Sequence, residues 1–148
     1  MERPFALDDV TDYAREYALA HARAFGMEAA ELATFLKDRF GRPAVALITG
    51  TSDVNGVSRW ASGRVAPELS RVQKMRDAFI VHQLLARIFA GEDRAAAWFT
   101  GENQLLNGDS PASSFKQGNV SSVYHVVRSL YGVLEDERAR TAQIGFSL

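Results

Sequence analysis

Cysteine is absent from the chain, which excludes disulfides, a thiolate metal site and a thiol nucleophile. Long apolar runs are absent too: nothing approaches the roughly eighteen consecutive apolar residues of a membrane span. Histidine is scarce. His21, His82 and His125 share no ligand spacing and no neighbouring acidic pair, so neither a metal centre nor a catalytic triad is expected. No motif places paired carboxylates or an activated nucleophile, so the chain is not expected to be an enzyme and no cofactor is implied. The opening MERPFALDDV carries acidic residues where a signal peptide would have its apolar core, and a cytoplasmic location is the expectation.

What is present is an ordinary globular composition, 47% apolar and 24% charged over 148 residues. That length suits one compact domain, or a small domain with an appendage. The net charge of −1 conceals an uneven distribution. Residues 1–36 carry −4, residues 37–76 carry +5 and residues 77–148 carry −2. The basic middle comes from Lys37, Arg39, Arg42, Arg59, Arg64, Arg71, Lys74 and Arg76 against Asp38, Asp53 and Glu68. Such a block between acidic flanks is either a solvated surface or the footprint of a polyanion.

Hydrophobic spacing reads as helix almost throughout. Asp8 or Asp9 can cap a first helix with Tyr13, Tyr17, Ala20 and Ala24 in register and Gly26 as its stop. EAAELATFLKDRF sets Leu32, Phe35 and Leu36 on one face before Gly41-Arg42-Pro43. After Pro67, Leu69, Val72, Met75, Phe79, Leu84 and Ile88 keep a period near 3.6 up to Gly91. EDRAAAWF is a short amphipathic piece, and GENQLLNGDSP has the composition of a loop. Ser110 and Pro111 are a cap and a favoured first helical residue for PASSFKQ. Asn119 can then cap a last helix with Val120, Val123, Val127, Leu130 and Leu134 inward. Glu135-Asp136-Glu137 reads as a solvated helix end, and the tail TAQIGFSL has no clear period. The fold class expected is all-α.

One stretch, AVALITGTSDVNGVSRWASG, admits two readings. As a strand entering a nucleotide loop it would match the short-chain dehydrogenase pattern at Thr49-Gly50 and Gly56. The central glycine of that pattern is Val54 here, and its side chain blocks the backbone approach the loop serves. No Tyr-x-x-x-Lys pair occurs, and no βα series follows. As a helix-turn-helix it reads better. PAVALIT is a short buried helix, Gly50 its stop, Ser52 or Asp53 the cap of VNGVSRWAS, and Gly63 the end. Val57 and Trp60 face inward; Asn55, Ser58, Arg59 and Ser62 lie on other faces, with Arg59 and Arg64 placed for bases or phosphates. Gly50 to Val57 is seven residues, one more than in the tightest such motif, and Gly56 costs about 1 kcal/mol against alanine.

Taken together, GTSDVNGVSRWASG, RVQKMRDAF, a long helix, WFTGENQLLNGDSPASSF and a last helix with VVRSLYG resemble the Xre/MbcA/ParS family of antitoxins. The likeness covers about two thirds of the chain, with Trp98, Asn103, Leu106, Gly108, Ser110-Pro111, Val123 and Leu130 carrying it in the C-terminal portion. It implies a helical region over 1–91 with the helix-turn-helix at about 43–63, and a toxin-binding domain over 92–148. It also implies a RES-domain toxin partner that consumes NAD, a toxin active site covered by the antitoxin, and repression of the operon by the complex. DNA contact would fall to Ser52, Asp53, Asn55, Ser58, Arg59 and Arg64, in a homodimer or larger assembly. Partner contact would fall to Trp98, Asn103, Pro111, Phe115 and Arg128. Packing competes with that role for Trp98, with Phe99 beside it, and for Phe115. The alternative is a free-standing transcription or cell-division regulator.

Overall fold

The computed structural model describes the backbone of residues 5–89 and 91–147, and side chains from Asp12 to Thr141 apart from Ala90, Glu135 and Arg138. Among the described residues every regular element is helical: α1 (Phe5–Phe25), α2 (Ala29–Phe40), α3 (Arg42–Thr49), α4 (Val54–Ala61), α5 (Leu69–Phe89), α6 (Glu92–Thr100), a 3₁₀ turn (Gln104–Leu106), α7 (Pro111–Lys116) and α8 (Val120–Ser147). The all-α expectation holds.

Local chemistry explains most boundaries. Glu28 and Glu31 form a reciprocal capping box at the start of α2. Gly41 and Gly50, at φ 86° and φ 80°, turn the chain on either side of α3 in a region that side chains with a Cβ avoid. The Gly50 N–H donates to the Ala46 carbonyl at 2.8 Å and closes α3. α3 is apolar on nearly all sides and accordingly buried, with Ala44, Val45, Ala46, Ile48 and Thr49 inside. The Thr49 hydroxyl donates to the Val45 carbonyl at 2.8 Å, so its burial leaves no bare donor.

Three details differ from expectation. α1 already runs at Phe5, so Asp8 and Asp9 are interior rather than capping positions; their side chains, like that of Glu135, lie outside the described residues. Leu69, on the apolar stripe by spacing, is 66% exposed because it is the first residue of α5 and has no element over it. α8 continues through TAQIGFS; once nucleated, a helix adds residues at little cost even without an apolar period.

α5 is the spine, packed against α1, α2, α3, α6 and α8. Its Met75, Ala78, Phe79, Ile80, Val81, Leu84 and Leu85 are all buried. One apolar cluster runs without a break from Ala20 to Tyr131, joining Val57 and Trp60 of α4 to Phe99, Phe115 and Val127. α3 packs on α7, and α8 on α1 and α5. The boundary expected between 91 and 92 therefore does not separate two cores. The chain's four tyrosines gather where α1 meets α8. Tyr13 stands edge-on to Tyr131 at 5.3 Å between centroids and Tyr17 to Tyr124 at 5.9 Å. Tyr131 donates to the Leu84 carbonyl at 2.9 Å and Tyr124 to Asp77 at 2.8 Å. Burial pushes the Asp77 carboxyl above its ordinary range, with the Tyr124 hydrogen bond opposing.

Candidate nucleic-acid interface

α3, a glycine turn and α4 follow one another in the order expected from the sequence. α3 lies inside, Gly50 turns the chain, and Thr51, Ser52 and Asp53 lead into α4. Asp53, not Ser52, is the cap: its Oδ1 accepts from the Gly56 N–H at 3.1 Å. Its own N–H donates to Thr51 Oγ1 at 3.2 Å, which fixes the turn. Val57 is fully buried, Trp60 nearly so, and both join the core. α4 rests on α2 and α3, and Thr34 of α2 donates to the Ala61 carbonyl at 3.2 Å.

The outward face of α4 carries Asn55 and Arg59, exposed, and Ser58, half-buried. Ser52, Asp53 and Arg64 are exposed beside them. Five of the six residues expected to contact DNA thus sit on one turn and one short helix, and Arg64 follows just after α4, its N–H donating to the Arg59 carbonyl. Gly56 is explained by the cap. A Cβ there would stand 3.1 Å from Asp53 Oδ2, so alanine would crowd the carboxylate that holds the helix end.

The basic block of residues 37–76 divides in space. Arg39 pairs with Glu92 at 2.8 Å and stacks on Phe35, while Arg76 lies over the Phe25 ring. Neither serves the turn. Arg42, Arg59, Arg71 and Lys74 do converge on it. Arg42 donates to Asn55 Oδ1 at 3.2 Å, and Arg71 to the Thr49 carbonyl at 3.0 Å. Lys74 Nζ is 3.8 Å from where a Cβ of Gly50 would lie. Two carboxylates offset this charge: Asp53 pairs with Arg59, and Glu68 with Arg71 at 3.6 Å. Between α4 and the start of α5, Asp53, Arg59, Glu68 and Arg71 line a groove of about 250 Å³ together with Trp60. Sequence reasoning missed Arg42, Arg71 and Lys74 as members of this cluster. The charge asymmetry contained them, but no spacing rule says which members of a basic block meet.

No family model, curated protein or solved structure matches this chain.

The residues expected to meet a protein partner fare differently. Phe115 is fully buried, 5.9 Å from Phe99 between ring centroids, and Pro111 is buried as the first residue of α7. Neither offers a surface, which corrects their assignment as contact residues. α7, polar by composition, turns Pro111, Ala112, Ser114 and Phe115 inward onto α3, α6 and α8. Asn103 is a loop organiser. Its Oδ1 accepts from the Leu105 N–H at 2.9 Å, and its carbonyl accepts from Leu106 and Gly108. That hub folds the expected loop into a 3₁₀ turn closed by Asn107 in the left-handed region, φ 58°. Trp98 is half-buried against Phe99, and Arg128 is exposed above the Tyr13 ring. Among the described residues no three His, Asp or Glu side chains stand together as a metal site, and no helix is long and apolar enough to cross a membrane.

Proposed function

We propose that the protein binds duplex DNA with α4 in the major groove and acts as an antitoxin-repressor of a RES-domain toxin. The observation that carries the DNA half is a short helix with its apolar side on the core, its polar side in solvent and an excess of cations around its leading turn. A helix so mounted can offer Asn55, Ser58 and Arg59 to base edges while Arg64 and Lys74 meet phosphates. Working as a homodimer in the cytoplasm, it would read two half-sites about 34 Å apart.

The test is binding to the DNA upstream of its own reading frame. Arg59→Ala combined with Arg64→Ala weakens it and makes the salt dependence shallower, by about 0.9 in logarithmic slope for each phosphate no longer neutralised. Unchanged affinity rejects the assignment. The toxin half rests on the family resemblance, with Trp98, Asn103 and Arg128 as the expected contact residues still reaching the surface. A second reading, the free-standing regulator, draws support from Asn103, Pro111 and Phe115 being built into the fold. Purification of the tagged protein from its host discriminates: a stoichiometric RES-domain partner favours the antitoxin, and recovery of DNA alone the regulator.

A further inference from the structure

Arg59 is the most prominent cation on the outward face of α4, yet it is not a free one. Its Nη2 is bonded to Asp53 Oδ2, while the other carboxylate oxygen accepts from the Gly56 N–H. The backbone of Asp53 is itself tied to Thr51, and Gly56 lacks the Cβ that would press on the carboxylate. Asp53 is therefore held in place before any ligand arrives. The pair is roughly half exposed, so it orients the guanidinium without hiding it.

We propose that Asp53 decides what Arg59 reads, withholding its guanidinium from phosphate and leaving its free edge for a guanine. The proposal rests on the DNA-binding reading above. A guanidinium carries five N–H donors, and the carboxylate occupies one side of the fork. The pair has no net charge, so it gains little from a phosphate and releases few counterions. Guanine O6 and N7 need two correctly aimed donors rather than a net charge, and a buttressed arginine supplies them. Arg64, exposed and without a carboxylate partner among the described residues, is the phosphate contact by contrast.

The experiment measures binding of the full chain to random-sequence duplexes of about 20 base pairs between about 50 and 200 mM salt. Asp53→Asn keeps an acceptor for the Gly56 N–H and removes the charge. Affinity for random duplexes is expected to rise, and its decline across that salt range to deepen by about 3.5-fold, as one added phosphate contact requires. The change should vanish when Arg59 is already alanine. Selection from the random pool should show a guanine preference that Asp53→Asn weakens and Arg59→Ala abolishes. An equal gain with and without Arg59 overturns the proposal, since that is removal of a negative charge alone; so does no change. Asp53→Ser, which also caps, replaces the asparagine variant if that one misfolds. Failure of the wild type to bind any duplex removes the DNA reading together with this one, whereas wild-type binding with an inert Asp53→Asn removes only this one.

Discussion

Replacing Phe115 with alanine separates a packing role from a partner-contact role. The ring is fully buried and bears on Phe99, which lies 4.7 Å from Phe40 between centroids, so it links α7 to α6 and α2. Removing a buried phenylalanine costs about 3–5 kcal/mol, through forfeited transfer energy and the cavity left behind. With an unfolding entropy of about 2.1 cal/mol/K per residue, a chain of this length loses about 10–16 °C in Tm. Thermal and urea unfolding followed by circular dichroism would measure this. A single transition that moves as a whole is expected, because α7 shares its core with α3 and α8. A shift below about 3 °C would refute the packing argument. A second transition shifting alone would refute the continuous core.

His82 gives a pH signature. It is wholly buried among Phe35, Phe40 and neighbouring side chains, and desolvation holds its pKa below the ordinary value of 6.5. The unfolded chain therefore takes up the proton first. The stability is fully present above pH 6.5 and falls as pH drops below it, by about 1.4 kcal/mol per unit until the folded pKa is reached. Urea midpoints between pH 7.5 and 5 should decline less in His82→Leu than in the wild type; identical declines would remove His82 as the source. Tyr131→Phe should cost about 0.5–1.5 kcal/mol, since only the bond to the Leu84 carbonyl disappears and the ring remains. Equilibrium unfolding would check it, and a cost above about 3 kcal/mol would mean that the hydroxyl does more than that bond.

The helical class, and the turns at Gly41, Gly50 and Gly63, were legible from spacing and local turn chemistry. These are properties of neighbouring residues, and the inward pair Val57 and Trp60 followed from the same period. The order of short buried helix, glycine turn and second short helix was legible for that reason, as were the cap at Ser110 and one at Ser52 or Asp53, which falls to Asp53. Tertiary structure decided what covers each face. Periodicity gives α7 a face, but only α3, α6 and α8 closing over it bury Phe115 and Pro111. The four tyrosines are dispersed in sequence and meet because α1 and α8 run together along α5. Charge counting found the basic block, yet Arg39 left it for Glu92 and Arg76 for Phe25. Asp53 and Arg59 pair across six positions, because the carboxylate faces the outer side of α4 while its other oxygen caps the helix. Sequence sets which surfaces can be buried or charged; the packing of distant helices sets which of them remain for a ligand.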